Sequence, residues 1–157
     1  MTPNPVRPAQ RSDLPAVAAL WVALLESHAA LDPVFALRSG ASAALEPELR
    51  RAFADADTAL FVADADGCVS GFCAAHFERS PGLARESCRA EITELVVEPT
   101  ARRRGLGRAL AHAAFAWARE RGASRVEVRV AARNDAGQAF WRRLGFAAFV
   151  DVLDLRL

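Results

Sequence analysis

The sequence predicts an α/β fold: one mixed sheet with helices packed on both faces. Three observations predict it. Apolar residues recur at helical spacing in two long stretches, Leu14–His28 and Leu106–Arg121. Between and after them lie short apolar or alternating runs rich in valine, which read as strands. At 157 residues and 52% apolar content, the chain is long enough to bury a core and too apolar for disorder. One domain over residues 1–157 is therefore expected.

The elements follow in order. Val6–Pro8 is a short strand. Ser12 or Asp13 caps a first helix whose inner stripe is Leu14, Val17, Trp21, Leu24 and His28. Leu31–Gly40 is a loop around Asp32-Pro33. A second helix runs from about Ser42 to Ala54, with Pro47 as its weak point. Ala59–Ala63 is a strand, Asp66-Gly67 a hairpin turn, and Cys68–Phe77 the returning strand. Arg79–Arg89, holding Pro81-Gly82, is a loop, and Ala90–Val97 is the next strand. A third helix spans Gly105–Arg121, turns Leu106, Leu110, Ala113 and Trp117 inward, and stops at Gly122. In Ser124–Ala131, Val126, Val128 and Val130 alternate with charged residues, the pattern of a half-exposed strand. A short helix, Asp135–Leu144, and a last strand, Phe146–Leu157, complete the order β-α-α-β-β-β-α-β-α-β.

Composition removes several function classes. The net charge of +1, with acids and arginines interspersed, argues against a nucleic-acid surface, which would be distinctly basic. The longest charge-free apolar run, Leu14–Leu25, is too short to span a bilayer, so no membrane is expected. Three cysteines (Cys68, Cys73 and Cys88), with no leader segment, read as reduced thiols of a cytoplasmic protein. The His and Cys residues show no metal-ligand spacing, and no metal is expected.

The most informative segment is the turn Arg102-Arg103-Arg104-Gly105-Leu106-Gly107, followed by Arg108. It joins an apolar strand to a helix start. Bare N–H groups and the helix dipole favour anions there, glycine admits close approach, and the four arginines carry forked donors suited to phosphate. A Walker loop is excluded because the chain has no lysine. A dinucleotide fingerprint fits poorly: Leu110 stands at its third glycine position, and seven residues separate Val97 from Gly105.

The spacing Arg102-x-x-Gly105-x-Gly107 resembles the acetyl-CoA loop of the N-acetyltransferase superfamily known as GNAT. A second signal follows in the same order as in that superfamily. The Ser124–Ala131 strand leads to Asn134, then a short helix with Gly137 and Phe140, and the ending Trp141-Arg142-Arg143-Leu144-Gly145-Phe146. The resemblance covers roughly residues 91–149 and is looser before that. It implies a mostly antiparallel central sheet whose fourth and fifth strands splay apart. Acetyl-CoA as cosubstrate would lie in the opening, against the backbone of Leu95, Val96 and Val97. Asn134, Gly137, Phe140 and Trp141 would flank it.

The chemistry implied is transfer of the acetyl group to a primary amine by direct attack in a ternary complex. The acceptor would be a small molecule or a peptide. The amine must first lose a proton, so a base is needed near the thioester. Glu91 and Glu94 are the candidates, and strict alternation puts them on opposite strand faces, Glu91 with Thr93 and Leu95. Counting back from Gly105, Glu91 matches the base glutamate of histone-type members and is favoured; Glu94 lies closer to the splay and could orient the amine. Either could instead be a solvated or arginine-paired surface acid. A cysteine nucleophile lacks any partnering base in the sequence.

One departure stands out. Many members place a tyrosine, as acid for the departing thiolate, where this chain has Trp141, and there is no tyrosine anywhere. Indole N–H donates but does not titrate usefully. Trp141 is then either a cofactor contact or a core aromatic. In the implied fold, helix one and the loop after it face the acceptor, so Glu26, His28, Asp32 and Phe35 are candidate substrate contacts. His28 and His76 fit a cleft or a structural role, and His112 reads as surface. Competing readings are a non-catalytic acyl-CoA sensor and transfer with another acyl donor or acceptor. The apolar segment Ala147–Leu157 also allows pairing with a second copy as a homodimer.

Overall fold

The computed structural model describes residues 6–65, 67–80, 82, 83, 85, 86 and 88–157. Asp66 of the expected hairpin turn and Pro81 of the expected loop lie outside the described residues. The strands are β1 (Val6–Pro8), β2 (Thr58–Ala65), β3 (Cys68–Arg79), β4 (Cys88–Val97) and β5 (Arg125–Val128). The helices are α1 (Leu14–Leu31), α2 (Ala41–Ala54), α3 (Leu106–Glu120) and α4 (Asp135–Arg143). The five strands form one sheet in the order β1-β2-β3-β4-β5. The first three pairings are antiparallel and β4–β5 is parallel.

The sheet is covered on both faces. On one face Leu110, Ala111 and Ala114 of α3 pack with Trp141 of α4 against Phe61, Cys73 and Ile92. On the other, Leu14, Val17 and Leu20 of α1 and Leu49 of α2 meet Leu60, Val62, Phe72 and Val96. The inner stripe of α3 is thus not the expected Leu106, Leu110, Ala113 and Trp117. Leu110, Ala111, Ala114 and Ala118 are buried, and the other three flank them. Small alanine side chains let the helix close on the sheet, where Gly71 leaves room for it. A Cβ there would sit 2.8 Å from the Val96 carbonyl oxygen and 3.3 Å from Leu110.

Other local expectations are corrected too. Pro47 sits inside α2 without ending it, because Leu45 and Leu49 on either side are buried and hold the helix down. The helix containing Leu14–Leu25 continues to Leu31. With its preceding turn, Arg11–Leu31 is long and apolar enough to cross a membrane by length and composition alone. In this structure that helix lies on the sheet. Arg7 fastens its start to the strands, reaching Asp13 and Asp64 at 2.7 Å each. This pairing holds the Asp13 carboxyl below its usual range. The last strand does not form: residues 147–157 are exposed and join no ladder.

Two irregularities shape the site. The β4–β5 pairing runs from Arg89 with Arg125 to Ile92 with Val128 and then stops, so β4 beyond Ile92 pairs only with β3. In the β3–β4 ladder, Ala74 pairs with Glu94 but Ala75 pairs with Ile92, leaving Thr93 as an extra residue. This is a β-bulge, and it shifts the alternation of β4 by one residue.

Candidate active site

The bulge decides where the two glutamates point. Ile92, Leu95 and Val97 pack with the α3 side, and Val96 with the α1–α2 side. Glu94 lines a cavity on the α1–α2 side with Phe72 and Ala74. Glu91 pairs with His76, which lines the same cavity. Glu91 and Glu94 therefore share a face, correcting the expectation of opposite faces, and Leu95 is not on the face of Glu91. An extra residue between them replaces the strict period of two.

Their environments differ. Burial pushes the Glu94 carboxyl above its usual range, the Glu91 charge adds to the rise, and the Thr93 hydroxyl, which donates to Glu94, partly offsets it. Glu91 instead faces Arg129, with Nε to Oε1 at 3.3 Å.

The cavity measures about 390 Å³. Its apolar walls are Trp21, Leu49, Leu60 and Phe72, and its polar groups include Glu48, Arg51, Asp55, Thr58 and His76 beside Glu94. Glu48 is paired with Arg51. Asp55 accepts from the Asp57 amide at 3.0 Å and the Thr58 hydroxyl at 2.7 Å, and these bonds hold its carboxyl below the usual range. His76 Nδ1 stands 3.6 Å from Asp55. Sequence reasoning missed Glu48, Arg51 and Asp55. Their signal was the spacing of residues 48, 51, 52 and 55, one helical face beside the buried Leu45 and Leu49 of α2 and running to the residue just past its end.

The four expected acceptor contacts lie outside this cavity. Glu26 is exposed, and the His28 ring stacks at 5.7 Å on the partly exposed Phe35. Asp32 caps the Pro33–Phe35 turn through the Val34 amide at 2.9 Å and faces Arg133 and Arg156.

On the opposite side, the turn before α3 has the geometry of an anion cradle. Arg103 and Gly105 both take left-handed backbone, with φ of 65° and 81°. A non-glycine residue held there costs about 1–3 kcal/mol, a strain typical of ligand-binding turns. No side chain caps α3, and its first turn holds no acid, so the amides at Leu106, Gly107 and Arg108 face outward. Arg102 Nε donates to the Val97 carbonyl at 3.0 Å and ties the turn to the end of β4. Among the described residues, none of Arg102, Arg103, Arg104 and Arg108 pairs with a carboxylate.

The far wall comes from α4. A Cβ on Gly107 would lie 3.4 Å from the Phe140 ring and 3.7 Å from Leu95, so these three converge where the strands part. Asn134 caps α4, its side-chain oxygen accepting from the Gly137 amide at 2.9 Å. Gly137 makes that cap possible, since a Cβ would meet the Asn134 side chain at 2.6 Å. Trp141 is buried between Phe140 and Phe146, with ring centroids at 4.9 Å and 5.2 Å. Trp141 belongs to the core cluster on the α3 face. Among the described residues no group of three or more His, Cys, Asp or Glu could hold a metal ion. Cys73 is buried and its thiol is pushed upward by burial, the reverse of an activated nucleophile.

The anion cradle and the carboxylate-bearing cavity thus lie on opposite faces of the sheet, beside the point where β4 and β5 part. Comparison with known proteins makes this specific. Residues 21–146 match the model of the acetyltransferase (GNAT) family, and the chain belongs to that family. It is 40% identical over 94 residues to a mycothiol acetyltransferase of Salinispora tropica, covering 59% of this chain and 30% of that protein. It is 37% identical over 94 residues to a streptothricin acetyltransferase of Streptomyces lavendulae, covering 59% and 47%. An uncharacterized N-acetyltransferase of Methanocaldococcus jannaschii is 36% identical over 87 residues, covering 55% and 38%. The matched part thus spans less than half of each of these relatives. The fold is that of an aminoglycoside N-acetyltransferase, AAC(6')-Iy, solved in complex with CoA. The TM-score is 0.73 at 22% identity, with 97% of this chain and 98% of that one aligned. A mutant protein from Bacillus halodurans aligns with a TM-score of 0.86 at 22% identity over 97% and 98%.

Proposed function

We propose that this protein transfers an acetyl group from acetyl-CoA to a primary amine of a small cationic acceptor, by direct attack in a ternary complex. The observation that carries the reading is Glu94. A carboxyl raised by burial sits on β4 at the bulge, beside the point where β4 and β5 part, and opens into the cavity opposite the anion cradle. A base for an ammonium group needs that environment, because its strength rises with its pKa. Glu94, rather than Glu91, is therefore the base of this proposal, and Glu91 tunes it through its charge.

The residues fit the cosubstrate. The pyrophosphate would take the amides of Leu106 and Gly107 with the guanidinium groups of Arg103, Arg104 and Arg108. The pantetheine arm would lie along the open edge of β4 at Leu95–Val97, against Gly107 and Phe140. The ammonium gives one proton to Glu94, the freed amine nitrogen bonds to the thioester carbon as the C–S bond breaks, and the nitrogen's second proton passes to the departing thiolate. The thiolate leaves without a tyrosine; a thiol pKa of about 8.5 makes it a tolerable leaving group near neutral pH. Asp55 supplies negative charge for a cationic acceptor, Glu48 being paired with Arg51, and the apolar walls take its carbon frame. Relatives named for mycothiol and streptothricin acetylation support a small-molecule acceptor.

Titration calorimetry with acetyl-CoA, then a thiol-release assay over monoamines, diamines and aminoglycosides, tests this. Binding followed by amine-dependent thiol release is expected. The missing tyrosine favours a second reading, an acyl-CoA sensor, and binding without release on any acceptor would select it.

A further inference from the structure

Three side chains on one wall of the acceptor cavity fix each other's protons. Asp55 accepts from the Asp57 amide at 3.0 Å and the Thr58 hydroxyl at 2.7 Å, and as a carboxylate it can only accept. The Thr58 hydroxyl has one proton, and that proton goes to Asp55. Thr58 Oγ1 also lies 3.1 Å from His76 Nδ1. With its proton on Asp55, the oxygen accepts at that second contact, so Nδ1 carries the hydrogen. Asp55 Oδ2, 3.6 Å from Nδ1, favours the same tautomer. In the neutral ring Nε2 is then a bare lone pair, and no described residue partners it.

The rest of the wall also asks for donors. Glu94 lines the cavity, Glu91 faces His76 across the ladder, and the cation Arg51 is paired with Glu48. Glu94 pairs with Ala74, and His76 lies two residues further along β3 on the same face, about 7 Å at the rise of an antiparallel strand. Given Glu94 as the base that receives the amine, a second recognition point stands one short carbon chain away. We propose that His76 determines specificity: its Nε2 accepts a hydrogen bond from a second donor on the acceptor, a hydroxyl or an ammonium. Asp55 reads charge, whereas this lone pair reads a donor of either charge. A hydroxyl therefore isolates the contribution of His76. The enzyme should prefer amines that carry a second donor to amines that carry none.

Aminobutanol and butylamine, which differ by one hydroxyl, test this on the full chain. The parent should favour aminobutanol in kcat/KM by about 5-fold, the worth of one net hydrogen bond. His76→Phe keeps a ring without a lone pair and should bring the ratio close to one. His76→Gln supplies a carbonyl oxygen and should restore part of the preference. Nitrogen NMR under mildly alkaline conditions reads the ring directly, with His76→Gln assigning its signal among the three histidines. The hydrogen should sit on Nδ1, and the Nε2 resonance should move with aminobutanol and not with butylamine. A hydrogen on Nε2 overturns the proposal. So does a parent with no preference, and so do equal losses on both amines in His76→Phe, which would mean that the ring only shapes the wall. The two readings fail separately. An Nε2 response to aminobutanol without turnover of any amine would remove acetyl transfer and keep the donor-reading site. Turnover of both amines without that response would keep transfer and remove His76.

Discussion

The two faces of the sheet build their halves of the site from different material. On the α3 face the proposed donor contacts come from one short segment, 102–108, through backbone amides and arginine side chains. On the α1–α2 face they are side chains from five elements: Trp21 on α1, Glu48 and Asp55 on and just after α2, Thr58 on β2, His76 on β3 and Glu94 on β4. A backbone site needs glycine at fixed intervals and writes that spacing into the sequence. A side-chain cavity needs only the right groups to meet after folding, and no local spacing records it.

The sharpest way to break this contrast is at Glu94. Glu94→Gln is expected to lower kcat by about 10²–10³-fold, the range for a lost general base, with acetyl-CoA affinity unchanged. The acid limb of kcat/KM in the parent should lie above the ordinary carboxylate range, because the folded pKa is raised. The sign for stability is opposite to that for activity. A carboxyl raised on folding stabilises the protein below its unfolded pKa of about 4.3, and that contribution is lost as pH rises through the folded value. Thermal melts at neutral pH should therefore show Glu94→Gln more stable than the parent. Glu91→Gln should move the acid limb to lower pH with kcat largely kept, since the Glu91 charge helps hold the Glu94 pKa up. Loss of turnover in the Glu91 variant with none in the Glu94 variant would exchange their roles.

The donor half breaks at Gly105. A Cβ there meets nothing within 4 Å, so Gly105→Val is a backbone change: φ of 81° is strained for a β-branched residue. The strain costs about 1–3 kcal/mol, so the melting temperature should fall by a few degrees with the fold kept. Acetyl-CoA affinity should fall at least about 100-fold, the worth of two or three charge-assisted hydrogen bonds. Calorimetry showing unchanged affinity would remove the turn from the donor site.

What the sequence revealed divides along the same line. The order of elements through α4 was legible from periodicity, and the turn from its glycines and arginines. The shared face of Glu91 and Glu94 was not, because a bulge is one extra residue in a ladder and needs both strands to be seen. Nor was the acceptor cavity. His28 and Phe35, chosen by position on α1 and its loop, lie outside that cavity, and Trp21 is the α1 residue that lines it. The unformed last strand was read from apolar content alone, which says that a segment needs a partner but not where the partner is.

The acceptor half should yield smaller, substrate-dependent effects. Asp55→Asn is expected to raise KM about 10-fold for an acceptor with two or more ammonium groups and to leave kcat unchanged, since the loss is of uniform binding. A monoamine should be indifferent to it. Equal KM changes for both acceptor types would mean that Asp55 orders the cavity wall through Thr58 and the Asp57 amide rather than reading the acceptor's second charge.

The mildest change separates two roles within one donor-side residue. Arg102 holds the turn through Nε to the Val97 carbonyl, and in the proposed site its charge would add to that of Arg103, Arg104 and Arg108 beside the phosphates. Glutamine keeps a donor for that carbonyl and loses the charge; alanine loses both. If anchoring matters, Arg102→Ala should bind acetyl-CoA about 5-fold more weakly than Arg102→Gln, the worth of one net hydrogen bond of about 1 kcal/mol. Both variants should show a shallower salt dependence of binding than the parent, because the lost charge is exposed and screened. Equal affinities for the two would assign Arg102 to charge alone and leave the turn anchored by the buried Ala101 just before it.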